Sequence, residues 1–411
     1  MSLFIRRARV LTLAPPGSDP TSPVRPRRGP ALRELGILPR ADVWIQGDKI
    51  TAVAAELPLP PDAEVIDAEG RVLMPGFVDC HTHACGPASS LDEWERFLAG
   101  ASPADLEKAG GGLPSIIQAT RTATRKQLAA GLRLRLDALL RSGTTTVEVK
   151  SGLGLTSEAE RKLLGAIQRA ASEWPGTVIP TATLGHAVEG DVAAFTRQIV
   201  REVLPEVWHE FPGLAIDARC ATDAWPVEAC VRLLERARKH GLPIRVSTDQ
   251  SAPTGMVTEA LALHARSIDH LENAAKADLL ALAASDTFAV FTPASSFHAG
   301  LRYARAGAFA ESGGLLALAS DHGPAACPIH AMPMVIALAV RHCGLTFAEA
   351  VVAATVNAAA VLGLHDRATI EPGRRADLLL LRHLDERQLA YEVGDNPVVR
   401  VICGGKSVFP S

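Results

Sequence analysis

The chain has 411 residues, 47% of them hydrophobic and 21% charged, with a formal net charge of −3. That composition supports a large buried core and excludes a disordered chain; the near-neutral balance gives no electrostatic case for nucleic acid or an anionic membrane as partner. Seven scattered Cys form no disulfide framework and suit a reducing, cytoplasmic setting, and 2 Tyr with 5 Trp are too few for a base-stacking surface.

The N-terminus, Met1 to Arg7, lacks the apolar core of a signal peptide, and no apolar run approaches the ~18 residues of a spanning helix. Residues 3–12 alternate apolar and polar as a strand does. A Pro-rich loop from Ala14 to Pro30 carries Arg25, Arg27 and Arg28, a triplet expected to be solvated. Residues 41–53 form a hairpin about a Gly47-Asp48 turn. From residue 71 the pattern becomes apolar run, loop, helix, repeated. Eight runs, each ending in polar residues, lie at 72–79, 144–150, 177–184, 214–219, 243–248, 266–270, 288–293 and 315–320. Helical stretches are expected between them, among them Thr120–Ser142, Ser157–Glu173, Val192–Glu206 and Val227–His240.

Such alternation predicts a (β/α)8 TIM-type barrel. The last residues return to β character at 376–381 and 398–406. They are expected to join the N-terminal strands in a small β-sandwich domain. The expected organisation is 1–70 as the N-terminal part of that domain, 71–365 as the barrel, and 366–411 as its C-terminal part.

Barrels of this kind carry their chemistry at the C-terminal strand ends. The first run ends in His81-x-His83, whose alternating positions aim both imidazoles to one side. The later ends supply Glu148 and Lys150, then His186, Asp217, Cys220, Ser247, Asp249, Gln250, Asp269, His270, His298, Asp321 and His322. A divalent ion on two or three imidazoles and a carboxylate keeps a position open for water. It suits hydrolysis of an amide-like C–N bond. Plainer roles compete with this one. His186 can be a hydrogen-bonded core histidine, Asp321 a helix cap, and Glu148 with Lys150 a structural ion pair. His298 and His322 can line a solvated loop, and Cys80 and Cys85 are expected to be buried packing.

Several stretches resemble the imidazolonepropionase family of the amidohydrolase superfamily, along nearly the whole chain. They are Arg28 to Leu38, Pro75 to His83, Ala109 to Gly112, Ala119-Thr120-Arg121, Gly143 to Gly152, Asp269 to Glu272, Ala319-Ser320-Asp321, Thr355 to Ala359 and Gly373 to Leu378. The resemblance implies a cytoplasmic hydrolase with one Zn2+ or Fe ion, which opens the ring of 4-imidazolone-5-propanoate to formiminoglutamate in histidine breakdown. It implies His81, His83 and Asp321 as metal ligands, and His270, Gln250 and Asp321 as catalytic. It places His186, Leu153 and Gly323 at substrate-binding positions. A small molecule is the implied partner, with no nucleic acid and no membrane, and a homodimer is the prior for such barrels.

The departures are specific. The strand-5 pattern His-Ala-Asp-Glu/Gln is here Ser247-Thr248-Asp249-Gln250, which removes the third imidazole. The Gly-Ser-Arg whose Arg holds the substrate carboxylate is Ala88-Ser89-Ser90. Leu153 stands for Tyr, Ala221 for Glu and Gly323 for Asn. His186, Asp249, His322 or His298 would have to make good the lost ligand. Three readings follow: the family reaction, hydrolysis of a different cyclic amide or amidine, or an inactive barrel that binds a ligand.

Overall fold

The computed structural model describes residues 2–87, 90–325 and 327–410, Pro103 through its backbone only. Strands are β1 (Ser2–Leu11), β2 (Ile37–Gln46), β3 (Lys49–Ala54), β4 (Glu64–Asp67), β5 (Val72–Pro75), β6 (Phe77–Asp79), β7 (Thr144–Lys150) and β8 (Thr177–Gly185). They continue as β9 (Ala215–Cys220), β10 (Ile244–Thr248), β11 (Ser267–His270), β12 (Phe288–Phe291), β13 (Leu316–Leu318), β14 (Leu378–Leu381), β15 (Val398–Cys403) and β16 (Lys406–Phe409).

β6 to β13 run in chain order through one 8-stranded sheet, each parallel to the next. Their residues are buried almost throughout, as strands enclosed by helices must be. The ring closes beyond the strand ends. A parallel bridge joins Thr82 to His322. His83 N donates to His322 O at 2.8 Å, and Asp321 N to His81 O at 3.1 Å. Asp79 accepts from Ser320 N at 3.1 Å and from the Ser320 hydroxyl. The first and last barrel strands are therefore sewn together at the residues expected to bind metal.

The terminal strands make a second 8-stranded sheet, ordered β16-β15-β14-β5-β1-β2-β3, with β4 also on β1. The sandwich expected there is one hydrogen-bonded mixed sheet. The expected strand 72–79 is divided between the two sheets. β5 pairs with β1 and β14, whereas β6 pairs with β7. The division falls at Gly76, where a Cβ would lie 2.2 Å from Thr145 Oγ1, so only glycine lets the chain pass.

Helices cover the barrel. Ser157–Glu173 follows an N-cap in which Thr156 accepts from Ala159 N, worth about 1 kcal/mol. It buries Leu163, Ala166, Ile167 and Ala170, the i, i+3, i+4, i+7 face. The expected helix Thr120–Ser142 is two, Gly112–Thr122 and Arg125–Arg141, because Thr124 and Gln127 form a capping box that starts a new one. The expected helix Val192–Glu206 passes through a π turn at Ile199–Val203 and runs on to Glu210.

The loop arginines are not uniformly solvated. Arg27 is buried, its guanidinium on Glu34 O at 2.7 Å and on Leu13 O. Its backbone is clasped by Asn357, which accepts from Arg27 N at 2.8 Å and donates to Arg27 O at 2.8 Å and Leu316 O at 2.7 Å. Asn357 therefore holds the N-terminal loop to the base of β13. All seven Cys are buried and unbridged, as expected for packing residues. No helix among the described residues is long and apolar enough to cross a membrane.

Candidate metal centre at the barrel mouth

Below the mouth, the barrel interior holds a paired layer of charges. Lys150 Nζ lies 2.7 Å from Asp217, 3.7 Å from Glu148 and 3.8 Å from Asp269. Arg245 bonds Glu148, Asp269 at 2.7 Å and Cys80 O at 2.9 Å. Glu148 and Lys150 are thus an internal brace, their plainer role. Asp269 also accepts from Ser267 at 2.6 Å and lies 2.6 Å from His81 Nδ1.

That last contact fixes the tautomer. His81 has no exposed side-chain surface. Burial, then the charges of Lys150, His270 and Arg245, hold it well below the usual histidine range, so the ring is neutral. Its Nδ1–H donates to Asp269 and its Nε2 lone pair points the other way. That Nε2 is buried with no hydrogen-bond partner, 3.5 Å from Asp321 Oδ1. Buried polar atoms are rarely left so. An imidazole oriented by a carboxylate, with its second nitrogen unpaired, is the arrangement of a metal ligand.

Asp321 and His83 complete the approach. His83 Nε2 is 4.0 Å from Asp321 Oδ1. Its ring is held neutral by burial first, then by His186 and His81. Burial pushes Asp321 up, opposed mainly by the charge of His270. His270 is fixed through Nδ1, 3.0 Å from Thr292 Oγ1 and 3.6 Å from Glu272. Burial works against its charge, but Glu272, Asp321 and Asp269 outweigh this and raise it to about 9. One donor atom from each of His81, His270 and Asp321 falls within 4.8 Å of the others.

The backbone is strained at the same place. His270, Leu271 and Asp321 have φ of 80°, 70° and 56°, and Asp249 has 56°. Each costs a non-glycine residue of order 1–3 kcal/mol and persists only where surroundings impose it. The neutral imidazoles of His81 and His83 with the carboxylate of Asp321 fit a divalent ion of the zinc or iron type.

The other expected residues sort by position. His186 joins the group, its ring centroid 5.2 Å from that of His83. Gly323 packs on His83, where a Cβ would come within 3.0 Å of His83 Cβ. Leu153 is buried in the barrel core cluster. Gln250 is half-buried at the end of β10, its carbonyl bound by Asn273 at 2.6 Å. Ser247 sits on β10, in register with Asp269 and Arg219. Two of the groups considered for replacing the third imidazole are held through one atom each, while Asp249 Oδ2 and His322 Nε2 are buried without a hydrogen-bond partner among the described residues. Asp249 caps its own turn through Thr254 N and Oγ1, both at 2.9 Å. His322 turns its Nδ1 to Cys327 O at 3.2 Å. His298 is half-buried on the helix Pro293–Ala299. Ser90 is exposed at the start of helix Leu91–Leu98, and Ala88 and Ser89 lie outside the described residues.

Sequence reasoning did not assign Asp269, Thr292 and Glu272 as the partners that orient His81 and His270. The pattern Asp269-His270-x-Glu272 carried a signal for two of them. Thr292 comes from the next strand, and only register brings it in.

Residues 72–408 match the amidohydrolase family profile. An imidazolonepropionase from Deinococcus deserti is 38% identical over 382 residues, 93% of this chain and 95% of that one. One from Herpetosiphon aurantiacus is 39% identical over 405 residues, 94% of each. Among solved structures, a triazine hydrolase variant superposes with a TM-score of 0.73 at 18% identity, covering 99% of this chain and 94% of that one. A Xaa-Pro dipeptidase with bound methionine gives 0.70 at 16% identity over 99% of each. At such identities these two speak for the fold alone.

Proposed function

Since the chain belongs to the amidohydrolase family and, within it, to the imidazolonepropionases, we propose that it opens the ring of 4-imidazolone-5-propanoate to formiminoglutamate in histidine breakdown. The observation that carries this is the partnerless Nε2 of His81 facing Asp321, with His83 and His270 beside them. His81, His83 and Asp321 would hold one Zn2+ or Fe ion. When bound, such an ion lowers the pKa of its water toward about 7 and polarises the carbon under attack.

Two imidazoles and one carboxylate are a sufficient protein set for a catalytic site that leaves a position for water. The serine at 247 therefore thins the ligand set without abolishing it. In the reaction a ring C–N bond breaks, the carbon takes the water oxygen and the nitrogen takes a proton. Asp321 Oδ1 is placed to accept the proton that water gives up. His270, its Nδ1 fixed by Thr292, presents Nε2 to the same space and hands a proton to the departing nitrogen. His186, beside His83, borders the substrate. Buried, unbridged Cys support a reducing cytoplasm as the setting, and a homodimer is the assembly we propose from the prior for such barrels.

Loss of imidazolone propanoate absorbance with metal-loaded protein tests the proposal. Turnover is expected, and His270→Asn should lower kcat by ~10²–10⁴-fold. No turnover by fully loaded protein would sink it. The second reading, a related ring with a different side group, is favoured by the apolar Leu153 at a substrate position. It predicts turnover of other cyclic amides in the same assay series.

A further inference from the structure

A cation faces the mouth from β9. Asp217 and Arg219 lie two residues apart, so their side chains share one face of the strand. Asp217 bonds Lys150 inside the barrel at 2.7 Å, which puts Arg219 on the inner face, one step nearer the mouth. Its partner across the parallel ladder is Ser247. A short hydroxyl side chain there leaves the space above β10 open to its neighbour.

Arg219 also stands beside His186: Gly185 pairs with Ala218 across the parallel ladder of β8 and β9, and His186 and Arg219 are the next residues along the two strands. His186 in turn lies 5.2 Å, ring to ring, from His83, whose Nε2 is 4.0 Å from Asp321. A line of groups thus runs from the metal cluster through His186 to Arg219. The Nδ1 of His186 is buried without a hydrogen-bond partner.

The guanidinium is only partly used. Nη2 alone is engaged, on the two oxygens of Asp223 at 3.1 and 3.0 Å, and Nε and Nη1 have no partner among the described residues. The two side chains are 26% and 64% exposed. An exposed pair of this kind contributes little and is readily exchanged. Arg121 makes the contrast. Its Nε bonds Gly154 O at 2.8 Å, and its two remaining nitrogens fork onto Glu189 at 2.8 and 2.7 Å, so no donor edge is left for a ligand.

We propose that Arg219, with the neighbouring His186, receives the carboxylate of the substrate, and so supplies the anchor that exposed Ser90 cannot. The assignment rests on the proposal that the substrate is a ring bearing a carboxylate side chain. A guanidinium fork matches a carboxylate in geometry and charge. Asp223 then holds the fork in place until substrate displaces it.

The test compares wild type, Arg219→Lys and Arg219→Ala, all metal-loaded, each checked for unchanged thermal melting. Turnover of 4-imidazolone-5-propanoate is measured beside that of its neutral propanamide. In Arg219→Ala, KM for the acid should rise at least ~10-fold, the factor a 1.4 kcal/mol contact carries, with kcat little changed and KM for the amide unmoved. Arg219→Lys should fall between. In parallel, calorimetry measures binding of imidazole-4-propanoate and imidazole-4-propanamide. Wild type should prefer the acid, and Arg219→Ala should lose the preference. An acid preference at Arg219 without turnover keeps the anchor and overturns the proposed reaction. No acid preference in wild type, or one that survives Arg219→Ala, overturns the anchor.

Discussion

The barrel interior has two layers of ionisable groups that differ in completeness. In the lower one, Lys150 and Arg245 each meet carboxylates from other strands across the barrel interior, and both contact Asp269. In the upper one, His81 Nε2 has no partner among the described residues, Asp321 lies at 3.5 and 4.0 Å from two imidazoles, and the backbone is left-handed at His270 and Asp321. The lower layer sets each carboxylate against a cation, although Glu148 Oε2 and Asp217 Oδ1 accept no hydrogen bond among the described residues. The upper one is held open by strand ends, strain and a layer of charges beneath it. Asp269 belongs to both, bonding Arg245 below and His81 above. Charge pairing is a means of support in the one and would be a means of binding in the other.

This contrast can be broken from below. Lys150→Met should leave Asp217 uncompensated in the interior and cost about 3–5 kcal/mol, because a buried pair is lost on one side only. Urea unfolding would register it, and a loss under ~1 kcal/mol would show that the layer is not a brace. Asp321→Asn should have the opposite profile. Its folding stability without metal should change by less than ~1 kcal/mol, while bound metal falls far below that of wild type, measured by dialysis and elemental analysis. Thr292→Val removes one partner of His270 Nδ1. About 1 kcal/mol of stability should go with that hydrogen bond, with kcat falling and metal content unchanged. The smallest effect should come from outside the barrel. Breaking the exposed Arg161–Glu210 pair with Arg161→Ala should leave the urea unfolding midpoint essentially where it is in wild type.

The barrel was legible because its strands are apolar runs that end in polar residues, a local signal that survives without contacts. The HxH pair and Asp321 were legible for the same reason, since each ends such a run. What was hidden depends on register. That Asp269 reaches His81, that Arg245 reaches Glu148, and that Arg219 flanks Ser247 follow from which residue lies across from which, and no single strand states it. The alternation Asp217-x-Arg219 was a signal passed over, because a strand end searched for ligands is not searched for cations. The division at Gly76 was hidden because both halves of 72–79 are equally apolar; what separates them is Thr145 pressing on Gly76 from another strand. The brace of Arg27 on Asn357 spans most of the chain and left only a loop arginine to see.

The central claim is that the upper layer binds one divalent ion through His81, His83 and Asp321, although position 247 is serine. Elemental analysis of protein purified without chelator, before and after dialysis against Zn2+ or Fe2+, tests it most directly. The account predicts about one equivalent in wild type and little in His81→Asn. Well below one equivalent in wild type, with no gain on adding metal, would contradict it.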